Sequence, residues 1–509
     1  MYLIGYDIGS SSIKAGLVEI ESGKQVAVES SPDREMDMLS RQSGWAEQQP
    51  ESWWQNLVTA TRKLLAETEV HPSDIKAIGI SYQMHGLVLV DKEQEILRPS
   101  IIWCDSRAVS IGDKAFEAIG PEHCLTHLLN SPGNFTASKL KWVKDNEPDI
   151  YERIDKVMLP GDYIAMKLTG EVCTTVSGLS EGVFWDYSKK EVSKEVLSHY
   201  GFDESIIPEL RACTSSQGIL THEAADFTGL LPGTPVTYRA GDQPNNALSL
   251  NVLNPGEIAA TCGTSGVVYG IVDEPVYDNQ SRVNGFAHVN YEGKKDRIGI
   301  LLCINGAGIQ YSWLKHQVAH TDTDYPDMER MASTVPIGSD GVCILPFGNG
   351  AERIFGNKNI GSHILGLEFN RHNRKHLYRA TLEGIAFSFV YGVNILKGMG
   401  LDVDIIRVGN DNMFQSEIFS RTIATLLNCQ IEMVDTTGAY GAARAAGVAI
   451  GAYKDLSEAL KNIKPSAIYE PDLNDSGYQR AYQHWAGCLD RVLQKSGVDG
   501  IRHAHQGEK

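Results

Sequence analysis

AGDQPNNALSLNVLNPGEIAATCGTS, residues 240–265, holds two chemistries that a single reaction needs side by side. The Gly241-Asp242 pair predicts a turn carrying one carboxylate. Gly263, Thr264, Ser265 and Gly266 form a run of small residues whose backbone N–H groups and hydroxyls suit phosphate oxygens. Moving a phosphoryl group onto an alcohol requires mainly positioning and charge stabilisation, with a carboxylate to accept the hydroxyl proton. Gly-Asp and Gly-Thr-Ser are also ordinary turn residues. The stretch gains weight from a second loop of the same kind.

That loop lies at the amino terminus. Residues 2–8, YLIGYDI, carry strand formers and run into Gly9-Ser10-Ser11-Ser12, after which residues 13–20 read as a second strand. The result is a hairpin with Asp7 at its mouth. It lacks the G-K-[ST] and following helix of a P-loop, so phosphate would meet a turn between antiparallel strands. Asp7 is placed to hold a hydrated Mg²⁺, an ion that keeps several waters and takes one or two carboxylates. TCGTSG, flanked by GEIAA and VVYGIV, repeats the strand, small-residue turn, strand pattern. Two copies suggest a duplicated ATPase core with nucleotide between its halves.

With 509 residues the chain is too long for one core, and two large domains meet the length expectation. Lys and Arg number 46 against 64 Asp and Glu, a formal charge of −18 that argues against a nucleic-acid or anionic-membrane partner. MYLIGYDIGSSS has no basic n-region or long apolar core, and no stretch approaches a membrane span, so the chain reads as cytoplasmic. The nine cysteines stand singly with no C-x-x-C, and are expected to be reduced, mostly buried small hydrophobes. His503 and His505 fall in a Gly- and charge-rich end that reads as a flexible tail, residues 496–509.

Between these landmarks, Pro50 marks a helix start, and Trp53, Trp54, Leu57, Val58, Leu64 and Leu65 follow at helical spacing as core. A buried strand over 75–81 ends in Gln83-Met84-His85-Gly86, polar groups at a strand end where open α/β sheets place ligands. Taken singly, His85 also fits a satisfied structural histidine. Trp103-Cys104-Asp105-Ser106-Arg107 offers an aromatic, a carboxylate and a guanidinium, with an internal ion pair as the alternative. Residues 159–171 predict a turn capped by Asp162 and a helix ending at Gly170, and residues 172–187 read as strands and a turn. Further on, a strand over 405–408 opens into Gly409-Asn410-Asp411-Asn412 and a helix over 413–427, where free N–H groups could face a nucleotide. Residues 438–451, GAYGAARAAGVAIG, predict a helix packed tightly on a sheet. The chain is expected to divide at residues 251–255, giving domains over 1–250 and 251–495.

To about residue 455 the chain resembles the FGGY carbohydrate kinases, and among them the xylulokinases most. The resemblance rests on DIGSSSIKAGL, GWAEQQPESWW, QMHG, IIWCDSRA, SKLKWV, LPGDYIAMKLTGE, AGDQPNNA, NPGEIAATCGTSGVVY, LPFGNGAER, ATLEGIAF and GAYGAARAAG in this order. It implies an α/β chain of two ribonuclease H-like, actin-like ATPase domains with ATP and sugar in the cleft between them. It further implies that Asp242 is the catalytic base and Asp7 the Mg²⁺-side acid. The phosphate loops are then Gly9 to Ser12 and Gly263 to Ser265, and Gly409, Asn410 and Asn412 contact the nucleoside. Gln83, Met84 and His85 match the sugar-contacting element, and Asp105 and Arg107 the W-x-D-x-R element near the sugar. Two departures stand out. Gln243 follows the base where relatives commonly have Asn, and GNDNMFQS replaces consecutive glycines on the adenine side.

The expected activity is ATP- and Mg²⁺-dependent phosphorylation of a ketose, D-xylulose first, to the 5-phosphate. A kinase for another ketose or a polyol is the nearer alternative, with glycerol disfavoured because the Arg-Glu that glycerol kinases use at the QMHG position is absent. An actin-like ATPase without sugar chemistry is the alternative of another class. A homodimer is compatible with the resemblance.

Overall fold

The computed structural model describes residues 1–291 and 296–497. The tail from 498, with His503 and His505, lies outside the described residues. The first sheet is built from β1 (Tyr2–Ile8), β2 (Ile13–Glu19), β3 (Gln25–Ser31), β4 (Ile75–Tyr82), β5 (Gly218–Ile219) and β6 (Pro235–Gly241), in the order β5-β6-β4-β1-β2-β3. The second contains β7 (Glu257–Cys262), β8 (Gly266–Val272), β9 (Asn284–Ala287), β10 (Ile298–Ile304), β11 (Ile405–Gly409), β12 (Gln430–Val434) and β13 (Pro465–Tyr469), in the order β9-β10-β8-β7-β11-β12-β13.

The two orders carry one plan. β1 pairs antiparallel with β2 and parallel with β4, and β4 runs parallel with β6. β7 likewise pairs antiparallel with β8 and parallel with β11, which runs parallel with β12. Each sheet ends on an antiparallel edge strand, β5 or β13. The second sheet adds β9, which reaches toward the first half. Parallel strands with ligand groups beyond their carboxyl ends are the arrangement in which α/β sheets build sites. Asp7, Gln83 and Asp242 all lie at such ends.

Nine helices matter for the site and its support. They are α1 (Pro50–Thr68), α2 (Thr136–Asn146), α3 (Val176–Glu181), α4 (Asp242–Ser249), α5 (Gly308–Gln317), α6 (Tyr325–Ala332), α7 (Arg374–Gly398), α8 (Glu417–Leu427) and α9 (Gly438–Ala449). Pro50 occupies the first turn of α1, where its missing N–H costs nothing. Trp53, Trp54, Leu57, Ala60 and Leu64 are buried against the first sheet, each large side chain contributing on the order of 2 kcal/mol. Tyr6 of β1 and Thr61 of α1 share a buried hydrogen bond of 2.8 Å.

α9 belongs to the second half in sequence but packs across β1, β2, β4 and β6 of the first sheet. Its small residues and two sheet glycines make this approach possible. A Cβ at Gly5 would lie 1.9 Å from the Ala439 carbonyl oxygen, and one at Gly79 would lie 2.0 Å from that of Ala442. α4 packs instead into an apolar cluster with Ala259, Tyr269, Ile271 and Val434 of the second sheet. The helices touch where a Cβ on Gly441 would meet Ser249 Oγ at 1.8 Å. Each half thus covers its neighbour's sheet with one helix, and the chain division at 251–255 separates the sheets without separating these helices.

Three local expectations change. Residues 172–187 contain the helix α3, N-capped by Thr175, whose hydroxyl accepts from the Gly178 N–H at 3.0 Å. Asp242 opens α4 in place of sitting on a free turn. Residues 413–427 form a 3₁₀ turn over Met413–Gln415 and then α8, because Ser416 breaks the run by capping the Phe419 N–H at 3.1 Å.

Candidate active site

The carboxyl ends of β1, β4 and β6 bring two acids together. Asp7 faces Lys14 of β2 and Ser81 of β4 in register, and Ser81 Oγ donates to its Oδ1 at 3.1 Å. Burial raises the Asp7 carboxyl from its ordinary value, against the opposing pull of Lys14 and Ser81. Asp242 follows Gly241 as the first residue of α4, half-buried. Burial and then the charge of Asp7 push Asp242 up to about 7, against hydrogen bonds from the backbone and side chain of Gln243. The two like charges therefore sense one another. Such a pair can take a proton near neutral pH or share a divalent cation, which removes the repulsion.

The other half of α4 ties this site to α9. Asn245 Nδ2 donates to the Gly438 carbonyl at 2.9 Å, and a Cβ on Gly438 would lie 2.9 Å from Asp7 Oδ2. A glycine at the start of α9 is what leaves Asp7 room.

Gln83, Met84 and His85 form the adjoining wall. The Gln83 N–H donates to the Ile8 carbonyl at 2.8 Å, extending the β1–β4 pairing into the loop. Gln83 and Met84 are buried, and Met84 packs under Gly241, where a Cβ would lie 2.6 Å from its Cγ. His85 adopts a left-handed backbone with φ of 62°, a conformation bulky residues rarely hold unaided. The Glu181 carboxylate at the end of α3 holds it, accepting the His85 N–H at 2.9 Å and the Tyr82 hydroxyl at 2.6 Å. The His85 ring packs edge-on to Phe135 at 4.7 Å and beside Phe286 of β9 at 5.4 Å. Burial above all, then the nearby Lys139, lowers its pKa to about 3, so the ring is neutral.

Both halves contribute side chains around His85. Asn130 of the first half donates to the Gly285 carbonyl at 2.8 Å and accepts from Asn284 at 2.7 Å. Arg353, half-buried in the 348–353 turn, donates to the Ser281 carbonyl at 2.7 Å and to Asn284 Oδ1. Burial lowers Arg353 to about 10. Lys139 of α2 is fully buried, its ammonium donating to the carbonyls of His85 at 2.7 Å and Ile102 at 3.0 Å, and burial lowers it to about 7. Glu181, Lys139, Phe286 and Arg353 were not anticipated. Lys139 and Arg353 do fall inside the quoted SKLKWV and LPFGNGAER segments, whereas Glu181 and Phe286 had no signal, because only packing brings α3 and β9 to QMHG.

Asp105 and Arg107 are buried against one another and their protein neighbours. Arg107 lies between the rings of Trp45 at 3.8 Å and Trp142 at 4.7 Å, bonded to Asp105 Oδ2 at 2.7 Å and Glu47 Oε1 at 2.8 Å. The Asp105 and Arg107 side chains are 0% and 1% exposed. The internal ion pair, the alternative raised for this motif, is what the chain forms, with both side chains buried. The neighbouring Trp103 is 54% exposed, with Nε1 3.3 Å from Ser10 Oγ.

The two small-residue hairpins differ. In the first, the Gly9 N–H closes the turn onto the Ser12 carbonyl at 3.1 Å, Gln48 Nε2 holds the Ser10 carbonyl at 2.7 Å, and Ser11 is exposed. In the second, Gly263 and Thr264 line a cavity of about 1080 Å³ with Gly308, Tyr311, Tyr325 and Met413. A Cβ on Gly308 would lie 1.9 Å from the Gly263 carbonyl oxygen, and the Ile309 N–H donates to Thr264 at 3.0 Å. α5 therefore seats directly on this hairpin. Asn412 lines the cavity, whereas Ser265, Gly409 and Asn410 are outside its lining. Asn412 is committed in part to the backbone, accepting the Phe414 N–H at 3.1 Å. The cavity's size, its mixed aromatic and polar walls and the adjoining turn fit a nucleotide.

Two carboxylates beside one small-residue hairpin, and a nucleotide-sized cavity opening on a second, are the parts of a phosphoryl-transfer site. Residues 2–249 match the N-terminal domain of the FGGY family of carbohydrate kinases, and residues 258–450 its C-terminal domain. The chain belongs to the FGGY carbohydrate kinases. It is an ATP-dependent sugar kinase. Its relatives include the xylulose kinase of Bacillus subtilis (strain 168), 30% identical over 483 residues that cover 92% of this chain and 93% of that one. The L-xylulose/3-keto-L-gulonate kinase of Escherichia coli (strain K12) is 29% identical over 493 residues, covering 95% and 96%. The crystal structure of xylulose kinase from Rhodospirillum rubrum superposes with a TM-score of 0.86 at 26% identity, covering 97% of this chain and 99% of that one. Among the described residues no helix is long and apolar enough to cross a membrane.

Proposed function

We propose that this FGGY kinase transfers the γ-phosphoryl group of ATP to a ketose, D-xylulose first, with Asp242 as the general base. The observation that carries the base assignment is the placement of Asp242: first residue of α4, hydrogen-bonded by Gln243, beside Asp7, and poised at about 7. A base with that pKa holds a useful anionic fraction at neutral pH and is strong enough to take a hydroxyl proton as the O–P bond forms. Gln83, Met84, His85 and Gln243 orient the sugar, with the neutral His85 ring as a hydrogen-bonding group.

Mg²⁺ fits the donor set of two mutually repelling carboxylates at Asp7 and Asp242. An ion that keeps its waters and leans on one carboxylate and on phosphate oxygens suits such a pair. Asp7 would hold it, and the ion would neutralise charge on the transferring phosphate. Gly9, Ser10, Ser11 and Ser12 face the phosphates from residues 1–250. Gly263, Thr264 and Ser265 face them from residues 251–495. Asn412 contacts the nucleoside in the large cavity, and Gly409 and Asn410 support that turn.

One observation favours a second substrate class. Arg353 has no ion-pair partner among the described residues, yet it lies close enough to His85 to help keep it uncharged. A cation there suits a keto-acid sugar, the class named for the E. coli relative. ADP release on a panel of D-xylulose, L-xylulose, 3-keto-L-gulonate, ribulose and glycerol, with ATP and Mg²⁺, decides between the readings. Strong turnover on D-xylulose supports the first, and preference for the acid supports the second. ATP hydrolysis indifferent to every sugar would overturn both.

A further inference from the structure

Glu181 is a buried acid that no sequence motif marked, standing between the two walls of the sugar site. Its side chain is 1% exposed. It makes three contacts there. Oε2 accepts the His85 backbone N–H at 2.9 Å, Oε1 accepts the Tyr82 hydroxyl at 2.6 Å, and its main-chain carbonyl lies 3.0 Å from His85 Nδ1. A Cβ on Gly241, the residue before Asp242, would lie 3.2 Å from Oε1. One residue therefore touches the backbone of His85, the ring of His85 and the strand end that delivers the base.

The main-chain contact decides a proton. A carbonyl oxygen can only accept, so Nδ1 of His85 carries the hydrogen. Nε2 then bears the lone pair, and it has no protein partner among the described residues. The ring thus presents an acceptor, and a sugar hydroxyl meeting it must donate. The carboxylate contact decides the aim. A left-handed histidine is held only where its surroundings fix it, and the Oε2 bond fixes this one.

We infer that Glu181 is a positioning residue for sugar binding, fixing His85 in its left-handed backbone and in the Nδ1–H tautomer, so that Nε2 accepts a hydrogen bond from a ketose hydroxyl. This rests on the sugar-kinase reading of the site and extends it to a residue beyond the QMHG element. Burial works against the charged form of Glu181, and its two hydrogen-bond donors work for it. Burial, then the charges of Asp242 and Asp162, hold Glu181 well above the ordinary range against the donors Tyr82 and His85. Its place is to receive hydrogen bonds inside the protein.

The test joins kinetics with a spectroscopic reading of the tautomer. In the wild-type chain carrying ¹⁵N-histidine, the ring signals absent from His85→Asn should show protonated Nδ1 and bare Nε2 over pH 6–8. An Nε2–H tautomer would overturn the proposal, and this reading needs no variant of Glu181 to fold and no sugar to turn over. Glu181→Gln keeps one acceptor of two. It should raise the ketose KM roughly 10-fold while changing kcat less than about 3-fold and leaving the ATP KM unchanged, the pattern of a lost ground-state contact. Tyr82→Phe, which spares the bond to His85, should leave the ketose KM within about 2-fold. Unchanged sugar KM in Glu181→Gln, or equal effects of the two variants, would refute the positioning role. Failure of the kinase reading would look different: no ketose would be turned over by the wild type, while the tautomer signal could still be read.

Discussion

The two sheets share a strand order but have divided the labour at their strand ends. At the first, Asp7 lies next to the last residue of β1 and Asp242 directly follows β6, two acids close enough for Asp7 to raise the pKa of its neighbour. At the second, β7 ends in Cys262-Gly263-Thr264, and the cavity beyond it is lined by Gly308, Tyr311, Tyr325 and Asn412. An acidic pair stands at the first, whereas the cavity at the second mixes small and aromatic residues with acids and arginines such as Glu329, Arg330 and Arg421. The difference teaches that a duplicated scaffold fixes where ligands bind, while the residue placed at each strand end decides whether that end binds or reacts.

If this division is right, the largest loss of turnover comes from the first sheet. Asp242→Asn should lower kcat by roughly 10²- to 10⁴-fold with a much smaller change in sugar affinity, because a general base acts chiefly in the transition state. Steady-state kinetics beside a sugar-binding titration checks this, and near-normal kcat would remove Asp242 from the role. The pH profile comes next. A base with a pKa of about 7 must be deprotonated to act, so kcat/KM should fall about 10-fold per unit as pH drops below 7 and flatten above it. The stability consequence runs the other way. A carboxyl whose folded pKa is raised favours the folded state most below its unfolded value near 4, and that contribution is lost as pH rises through 7. Asp242→Asn should therefore melt several degrees higher than wild type at pH 8, and the difference should shrink toward pH 4 in calorimetry.

The second sheet should answer with binding. Gly308→Ala drives a methyl to within 1.9 Å of the Gly263 carbonyl and must displace the hairpin. The ATP KM should rise about 10-fold, with sugar binding in the absence of nucleotide unchanged. Loss of sugar binding in that variant would erase the division of labour. The smallest effect on kinetics belongs to Arg107. Arg107→Met strands Asp105 without its cation, while Glu47 keeps Arg98 at 2.5 Å, and breaking a buried pair typically costs on the order of 3 kcal/mol. Denaturant unfolding should register that loss while the sugar KM stays within about 2-fold, since the side chain faces Trp45 and Trp142.

Much of the first sheet's site was legible because it is local. A strand, a tight turn and an acid lie within the first twelve residues at the amino terminus, and the Gly-Asp pair announces its own strand end. The nucleotide side was only half legible. Thr264 and Gly263 stood out as small residues after a strand, but Tyr311 and Tyr325 reach the cavity from helices that have no phosphate-type pattern of their own. Asp105 and Arg107 show the opposite case, in which an acid and a guanidinium two residues apart look like ligand groups and close on one another.

The sequence by itself determined the two hairpins, the helix at Pro50 and the family, because each rests on contacts between near neighbours or on an ordered set of short motifs. Tertiary structure alone decided that α9 of the second half covers the first sheet, that Arg107 is sealed between two tryptophans, and that Glu181 and Phe286 meet at His85. Those facts depend on which distant surfaces fit, as at Gly5 against Ala439 or Gly441 against Ser249, and such complementarity exists only once the whole chain has packed.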